Sequence, residues 1–156
     1  MLNHPLSDLI SQTELLENIA DQHGTPTYVY SKKRLEENID KLSRAISSNF
    51  INYQIYYAVK ANSNIHIIKT LKSRFNDLGC DCSSPGELFA AKKAGFNMSD
   101  CVYTGNYESF EDLQTAYDAG PEINLDDLNS FERLKKIGAH IDEFFISPYH
   151  PMFPEK

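Results

Sequence analysis

The sequence predicts an α/β chain built on a parallel sheet, and three observations carry that prediction. Short β-rich apolar runs alternate with segments whose apolar residues recur at helical spacing. The connections between them are short, as repeated strand–helix units require. Helical segments open on capping residues and close on glycine. An open doubly wound sheet and a closed barrel both satisfy this pattern, although a complete (β/α)8 barrel typically takes roughly 250 residues.

The elements follow in order. Ser11-x-x-Glu14 has the form of a capping box for a helix ending near His23, where Gly24-Thr25-Pro26 breaks it. Thr27-Tyr28-Val29-Tyr30 is β-rich and reads as a strand. Ser31 caps the next helix, whose Leu35, Ile39, Leu42 and Ile46 fall at helical spacing. Gln54 to Ala61 is an apolar strand carrying Lys60, followed by a helix with Ile65, Ile68, Leu71 and Phe75 on one face. Leu78 to Ser83 is the next strand. Ser84-Pro85-Gly86-Glu87 then joins a capping serine, an N-terminal proline and a glutamate at the third position, opening a helix that stops at Gly95. Cys101 to Gly105 is a strand, and Ser109-x-x-Asp112 starts a helix that Gly120 ends. Ile123 to Leu125 is a strand, Asn129-x-x-Glu132 starts a helix that Gly138 ends, and Ile141 to Ile146 is one more strand.

With 156 residues, 41% apolar and 24% charged, the chain has the size and balance of one soluble globular domain. A net charge of −7, with the 15 Lys and Arg scattered along the chain, argues against nucleic acid or an anionic membrane as partner. It leaves room for a local cationic site that holds a phosphorylated cofactor. Met1 to Leu6 shows no basic stretch followed by an apolar core, so no secretory signal is expected and the cytoplasm is the expected compartment. The three cysteines, Cys80, Cys82 and Cys101, fit neither the CxxC redox nor the zinc pattern and read as buried structural thiols. His4, His23, His66, His140 and His150 show no metal-ligand spacing, so no metal site is expected. No GxGxxG or P-loop follows any strand.

Within this frame, Tyr56-Tyr57-Ala58-Val59-Lys60-Ala61-Asn62 is the most informative segment. A lysine closing a strand lies at the mouth of an α/β fold, where chemistry gathers. The strand end can partly desolvate its amine and favour the neutral, nucleophilic form that builds a Schiff base. An ordinary solvated lysine is the alternative.

Linked motifs tip that balance. Tyr57-Ala58-Val59-Lys60-Ala61-Asn62, Asp81-Cys-Ser-Ser-Pro-Gly-Glu87-Leu88, Tyr103-Thr-Gly105-Asn106 and Ile123-Asn124-Leu125-Asp126 occur in this order, with Gly24-Thr-Pro-Thr-Tyr-Val-Tyr-Ser31 upstream. Together they resemble the N-terminal part of the pyridoxal-phosphate-dependent decarboxylases with an alanine-racemase-like barrel, and within that family the diaminopimelate decarboxylases. The match runs from Gly24 to Ile141.

The resemblance implies an incomplete (β/α)8 barrel of about five strand–helix units. Residues 1–30 would hold an N-terminal helix and a strand of a β-rich domain, residues 31–147 the partial barrel with the pyridoxal-binding portion, and residues 148–156 a divergent tail. Lys60 would hold pyridoxal phosphate as a Schiff base. Ala58, on the same barrel-facing side, would leave room for the cofactor, and Asp81 would lie close to it. A small core residue and an exposed strand-end aspartate are the ordinary alternatives at positions 58 and 81. Glu87 reads first as a capping partner, Asn62 and Ser84 as loop and cap residues, and Asn106 as a strand-end residue facing the expected site. The full enzyme would be a homodimer acting on a small amino acid, converting meso-diaminopimelate to L-lysine and carbon dioxide in lysine biosynthesis. An ornithine- or arginine-type decarboxylase of the same fold is one alternative, and a non-catalytic remnant or cofactor carrier is another.

The sequence also departs from the family. Where the family has an arginine followed by asparagine–proline at the fifth strand, Phe144 to Pro151 has no arginine, and Pro148 to Lys156 holds three prolines in nine residues. The family's glycine-rich phosphate loop, the acid facing the pyridine nitrogen and the substrate-binding side chains would lie beyond residue 156. A truncated product, a disrupted reading frame and a partial sequence each account for this, and the chain by itself is expected to be inactive.

Overall fold

The computed structural model describes residues 7–106, 108–125, 127–138 and 145–146. The chain divides into two compact units, Met1–Arg34 and Leu35–Lys156.

In the first unit, two helices, α1 (Ser7–Ile10) and α2 (Thr13–His23), stand where one capped helix was expected. Ser11 does not cap α2. Its N–H closes the last turn of α1 on the Ser7 carbonyl at 3.0 Å, so the N-cap position falls to Gln12, which makes no side-chain cap. Thr27–Tyr30 forms no strand, and Tyr28 is 90% exposed. β-propensity expresses itself against a paired neighbour and a buried face, and among the described residues no ladder reaches this segment.

Ser31 caps α3 (Lys32–Ser47) as expected, its Oγ accepting from the Arg34 N–H at 3.3 Å. Ile39 is buried, and Leu35 and Ile46 pack against the same cluster, whereas Leu42 is exposed. Arg74 donates two hydrogen bonds to the Asp40 carboxylate, at 2.8 and 2.6 Å, and holds that carboxyl below its ordinary range.

The second unit is a sheet with helices between its strands. β1 (Ile55–Ala58), β2 (Leu78–Cys82), β3 (Cys101–Tyr103), β4 (Glu122–Leu125) and β5 (Phe145–Ile146) pair in the order β1-β2-β3-β4-β5, all parallel. The intervening helices are α4 (Ile65–Arg74), α5 (Pro85–Lys93), α6 (Phe110–Ala119) and α7 (Leu128–Lys136). Each strand is laid beside its predecessor with no reversal of order. A doubly wound sheet needs such a reversal, and a barrel wall does not. Of the last expected strand, residues 141–144 lie outside the described residues.

Local chemistry sets the helix boundaries. Asn64 caps α4, Ser84 caps α5 and Ser109 caps α6, each accepting a backbone N–H two or three residues on. α7 is capped by Asp127, which accepts from the Ser130 N–H at 2.7 Å, and not by the expected Asn129. Asp127 has the extended backbone a cap requires, and Asn129 already lies inside the first turn. Gly120 ends α6 in the left-handed region at φ 86°, as its position predicted.

Alternation along the strands separates two faces. Ile55, Leu78, Cys80, Cys82, Cys101 and Tyr103 belong to a core shared with Ile68, Leu71, Leu88 and Phe96. Tyr56, Ala58, Gly79, Asp81 and Val102 point to the other side of the sheet, the interior of a barrel wall. A side chain at Gly79 would meet the Tyr56 ring at 2.5 Å and the Asp100 carbonyl oxygen at 2.7 Å, so the absence of a Cβ there lets that ring lie across β2. The three cysteines are free and buried, as the sequence suggested. Cys80 and Cys82 share Cys101 as a hydrogen-bond partner, and that contact together with burial pushes both thiols far above their ordinary range. The same two hydrogen bonds act in the opposite direction on Cys101 and lower its thiol pKa.

Candidate active site

β1 ends at Ala58, and the chain tightens at once into a single 3₁₀ turn, Val59–Ala61, which carries Lys60. Lys60 thus stands two residues past the strand. The strand alternation that would place it on the same face as Ala58 does not extend to residue 60. Val59 roots the turn, its side chain fully buried in the core, while Lys60 is exposed. The desolvation expected of a strand-end lysine is therefore not supplied by the described residues. The turn lies against β2 and α5. It is closed by the Asn62 N–H donating to the Val59 carbonyl at 3.1 Å and by the Tyr57 hydroxyl donating to the Asn62 carbonyl at 3.0 Å. Asn62 Oδ1 in turn accepts the Asn64 N–H at 3.0 Å, which ties the turn to the cap of α4.

Ala58 and Asp81 are register partners on β1 and β2, on the face turned away from the helices. Ala58 presents only a methyl group there. Asp81 Oδ1 is buried and has no hydrogen-bond partner among the described residues. A buried acceptor left in this state is costly, so the spot suits an incoming group that brings a donor. An exposed primary amine that can condense with an aldehyde, a small neighbour and a buried acceptor open to a hydroxyl or N–H fit a cofactor that carries both an aldehyde and a hydrogen-bond donor.

The β2–α5 loop beside them is held by Glu87. Ser84 Oγ accepts the Glu87 N–H at 3.3 Å, and Glu87 Oε2 accepts from the Ser83 N–H at 2.7 Å and the Ser83 hydroxyl at 3.1 Å. The return arm of this capping box reaches one residue further back than the usual motif. Glu87 and Ser84 are thus structural, as expected. Asn106 follows β3 and is exposed, and Asp126 lies outside the described residues. No group of three or more potential metal ligands exists among the described residues. Reading the sequence passed over Tyr57, although it adjoins Ala58 in the same motif.

At the same end of β3, Tyr103 is 1% exposed and its hydroxyl has no hydrogen-bond partner among the described residues. Burial, then the charges of Glu108, Asp112 and Glu87, push its pKa up to about 12. With the folded pKa above the unfolded value of about 10, stability is level below that value and falls as pH rises toward 12, because the buried phenolate is penalised. Tyr103→Phe is therefore expected to keep or raise stability at neutral pH, because it removes an unsatisfied buried hydroxyl. It should also flatten the alkaline fall in stability, as urea melts across that window would show.

The family model described as the pyridoxal-dependent decarboxylase, pyridoxal binding domain, matches residues 36–147. The chain belongs to this family. It is 39% identical over 129 residues to diaminopimelate decarboxylase of Methanothermobacter thermautotrophicus, covering 83% of this chain and 29% of that protein. It is 37% identical over 119 residues to the Aquifex aeolicus diaminopimelate decarboxylase, covering 76% of this chain and 26% of the relative. The Helicobacter pylori diaminopimelate decarboxylase complexed with L-lysine superimposes at a TM-score of 0.69 and 27% identity, over 78% of this chain and 30% of that one. The chain thus spans under a third of the length of these relatives. The structural neighbours are barrel enzymes, so the sheet is a segment of an alanine-racemase-like (β/α)8 barrel wall. Pyridoxal phosphate is the cofactor of the family, and among the described residues no helix is long and apolar enough to cross a membrane.

Proposed function

We propose that this chain is the lysine-bearing, pyridoxal-binding portion of a diaminopimelate decarboxylase, which releases carbon dioxide from meso-diaminopimelate and leaves L-lysine. The observation that carries the reading is the placement of Lys60. It sits on a closed turn at the carboxyl edge of the sheet, in the same segment as Ala58 and next to the strand that bears the open Asp81 oxygen. When bound, pyridoxal phosphate accepts the electron pair freed as the carboxylate departs.

The chain's own residues hold and orient. Lys60 Nζ is the covalent anchor for the cofactor's aldehyde, a role closed to arginine, whose guanidinium stays protonated. Val59 fixes the anchor from below by burial. Ala58 leaves space on the inner face, and Asp81 Oδ1 accepts a hydrogen bond from the group that enters it. The choice of diaminopimelate over ornithine or arginine rests on the likeness to the diaminopimelate enzymes. The complete enzyme is read as a cytoplasmic homodimer.

Borohydride reduction of a chimera that joins this chain to the rest of the Methanothermobacter relative, in the presence of pyridoxal phosphate and followed by peptide mapping, tests the anchor. The label is expected on the peptide holding Lys60. A label concentrated on Lys69 or Lys72 would overturn the assignment.

A further inference from the structure

We propose that Tyr57 is a positioning residue for Lys60, acting through the hydrogen bond from its hydroxyl to the Asn62 carbonyl. The proposal rests on the reading of Lys60 as the cofactor's anchor. A three-residue 3₁₀ turn has little stability of its own, since short turns of this kind gain few hydrogen bonds for the dihedrals they fix. Lys60 is exposed, so burial does not hold it in place. The turn must be held from its two ends. At its entry the buried Val59 side chain does this.

At its exit, Tyr57 does. The Tyr57 ring packs against the main core cluster on the helix side of the sheet, which fixes its direction. Its hydroxyl then donates to the Asn62 carbonyl, the exit of the turn, at 3.0 Å. Asn62 has extended backbone, φ −164°, and its side chain accepts the Asn64 N–H at 3.0 Å. The exit of the turn is thereby coupled to two rigid bodies, the core through Tyr57 and α4 through Asn64. An amine that must meet a carbonyl carbon at bonding geometry gains from such fixing, because misplacement by about 1 Å costs rate steeply. A purely structural Tyr57 would need only its ring, and the hydroxyl separates the two roles.

Tyr57→Phe keeps the ring and deletes the tether. Amide hydrogen exchange of the variant and the wild-type chain is the first measurement. Exchange at Asn62 is expected to rise about fivefold, the factor corresponding to one net hydrogen bond, with β2 and the body of α4 unchanged. The second measurement is the share of borohydride-trapped pyridoxal phosphate found on Lys60 relative to Lys69 and Lys72, which should fall severalfold in the variant. Unchanged exchange at Asn62, or a rise spread evenly over the whole unit, overturns the positioning role while leaving Lys60 as anchor. An unaltered share of label on Lys60 does the same. A wild-type chain labelled elsewhere than Lys60 overturns the anchor, and the proposal with it.

Discussion

Lys60→Ala, made in a chimera that joins this chain to the rest of the Methanothermobacter relative, is expected to abolish covalent cofactor attachment. Carbon dioxide release should fall at least about 10³-fold, the scale on which loss of a covalent catalytic group is felt. The substitution removes the amine and little else. Lys60 is exposed, and the turn around it is held by Val59, Tyr57 and Asn62, so the fold should survive. Circular dichroism and the urea midpoint check that survival, and the visible absorbance of bound cofactor checks the anchor. Turnover within tenfold of the parent chimera, or cofactor still covalently bound, would show that another lysine does the work.

A chain of residues 1–156 alone should give no saturable decarboxylation of meso-diaminopimelate, ornithine or arginine. The exposed Lys60 amine can react with free pyridoxal phosphate, and a background rate follows. Catalysis above that background needs a phosphate anchor, a charged partner for the ring nitrogen and groups that orient the leaving carboxylate. The described residues at the carboxyl edge of the sheet supply an amine, a methyl group, one open carboxylate oxygen and the buried Tyr103 hydroxyl. Glu87 is already committed to the Ser83 N–H and hydroxyl. A carbon dioxide release assay on the purified chain, run against free cofactor, decides the matter. Saturation with substrate, lost on Lys60→Ala, would mean that this edge of the sheet is more complete than its donor set indicates.

What was legible in the sequence was local. Ser84, Ser109 and Ser31 each bond a backbone N–H within three residues, and Gly120 needs only its own φ, so a short window holds all the physics of those boundaries. The same locality explains the small errors. Ser11 is already used by the turn that closes α1, and Asn129 already lies inside the first turn of α7, so the cap positions fall one residue later, to Gln12, and two residues earlier, to Asp127. Lys60 was legible as a site residue because an ordered set of motifs surrounds it, although the residues by themselves left an ordinary solvated lysine open.

Tertiary structure decided what depends on distant partners. Thr27–Tyr30 has strand-forming side chains but no ladder among the described residues, and pairing is a property of two segments. The choice between a barrel wall and a doubly wound sheet rested on strand order, which identical strand–helix signals leave open and the unreversed β1-to-β5 sequence settles. The 3₁₀ turn at Lys60 and the Tyr57 tether likewise appear only once the core fixes the direction of the Tyr57 ring. The amino-acid sequence by itself determined which residues could do chemistry and where helices start and stop. Packing determined which of those residues are held, which are open, and which carboxylate oxygen is left without a donor.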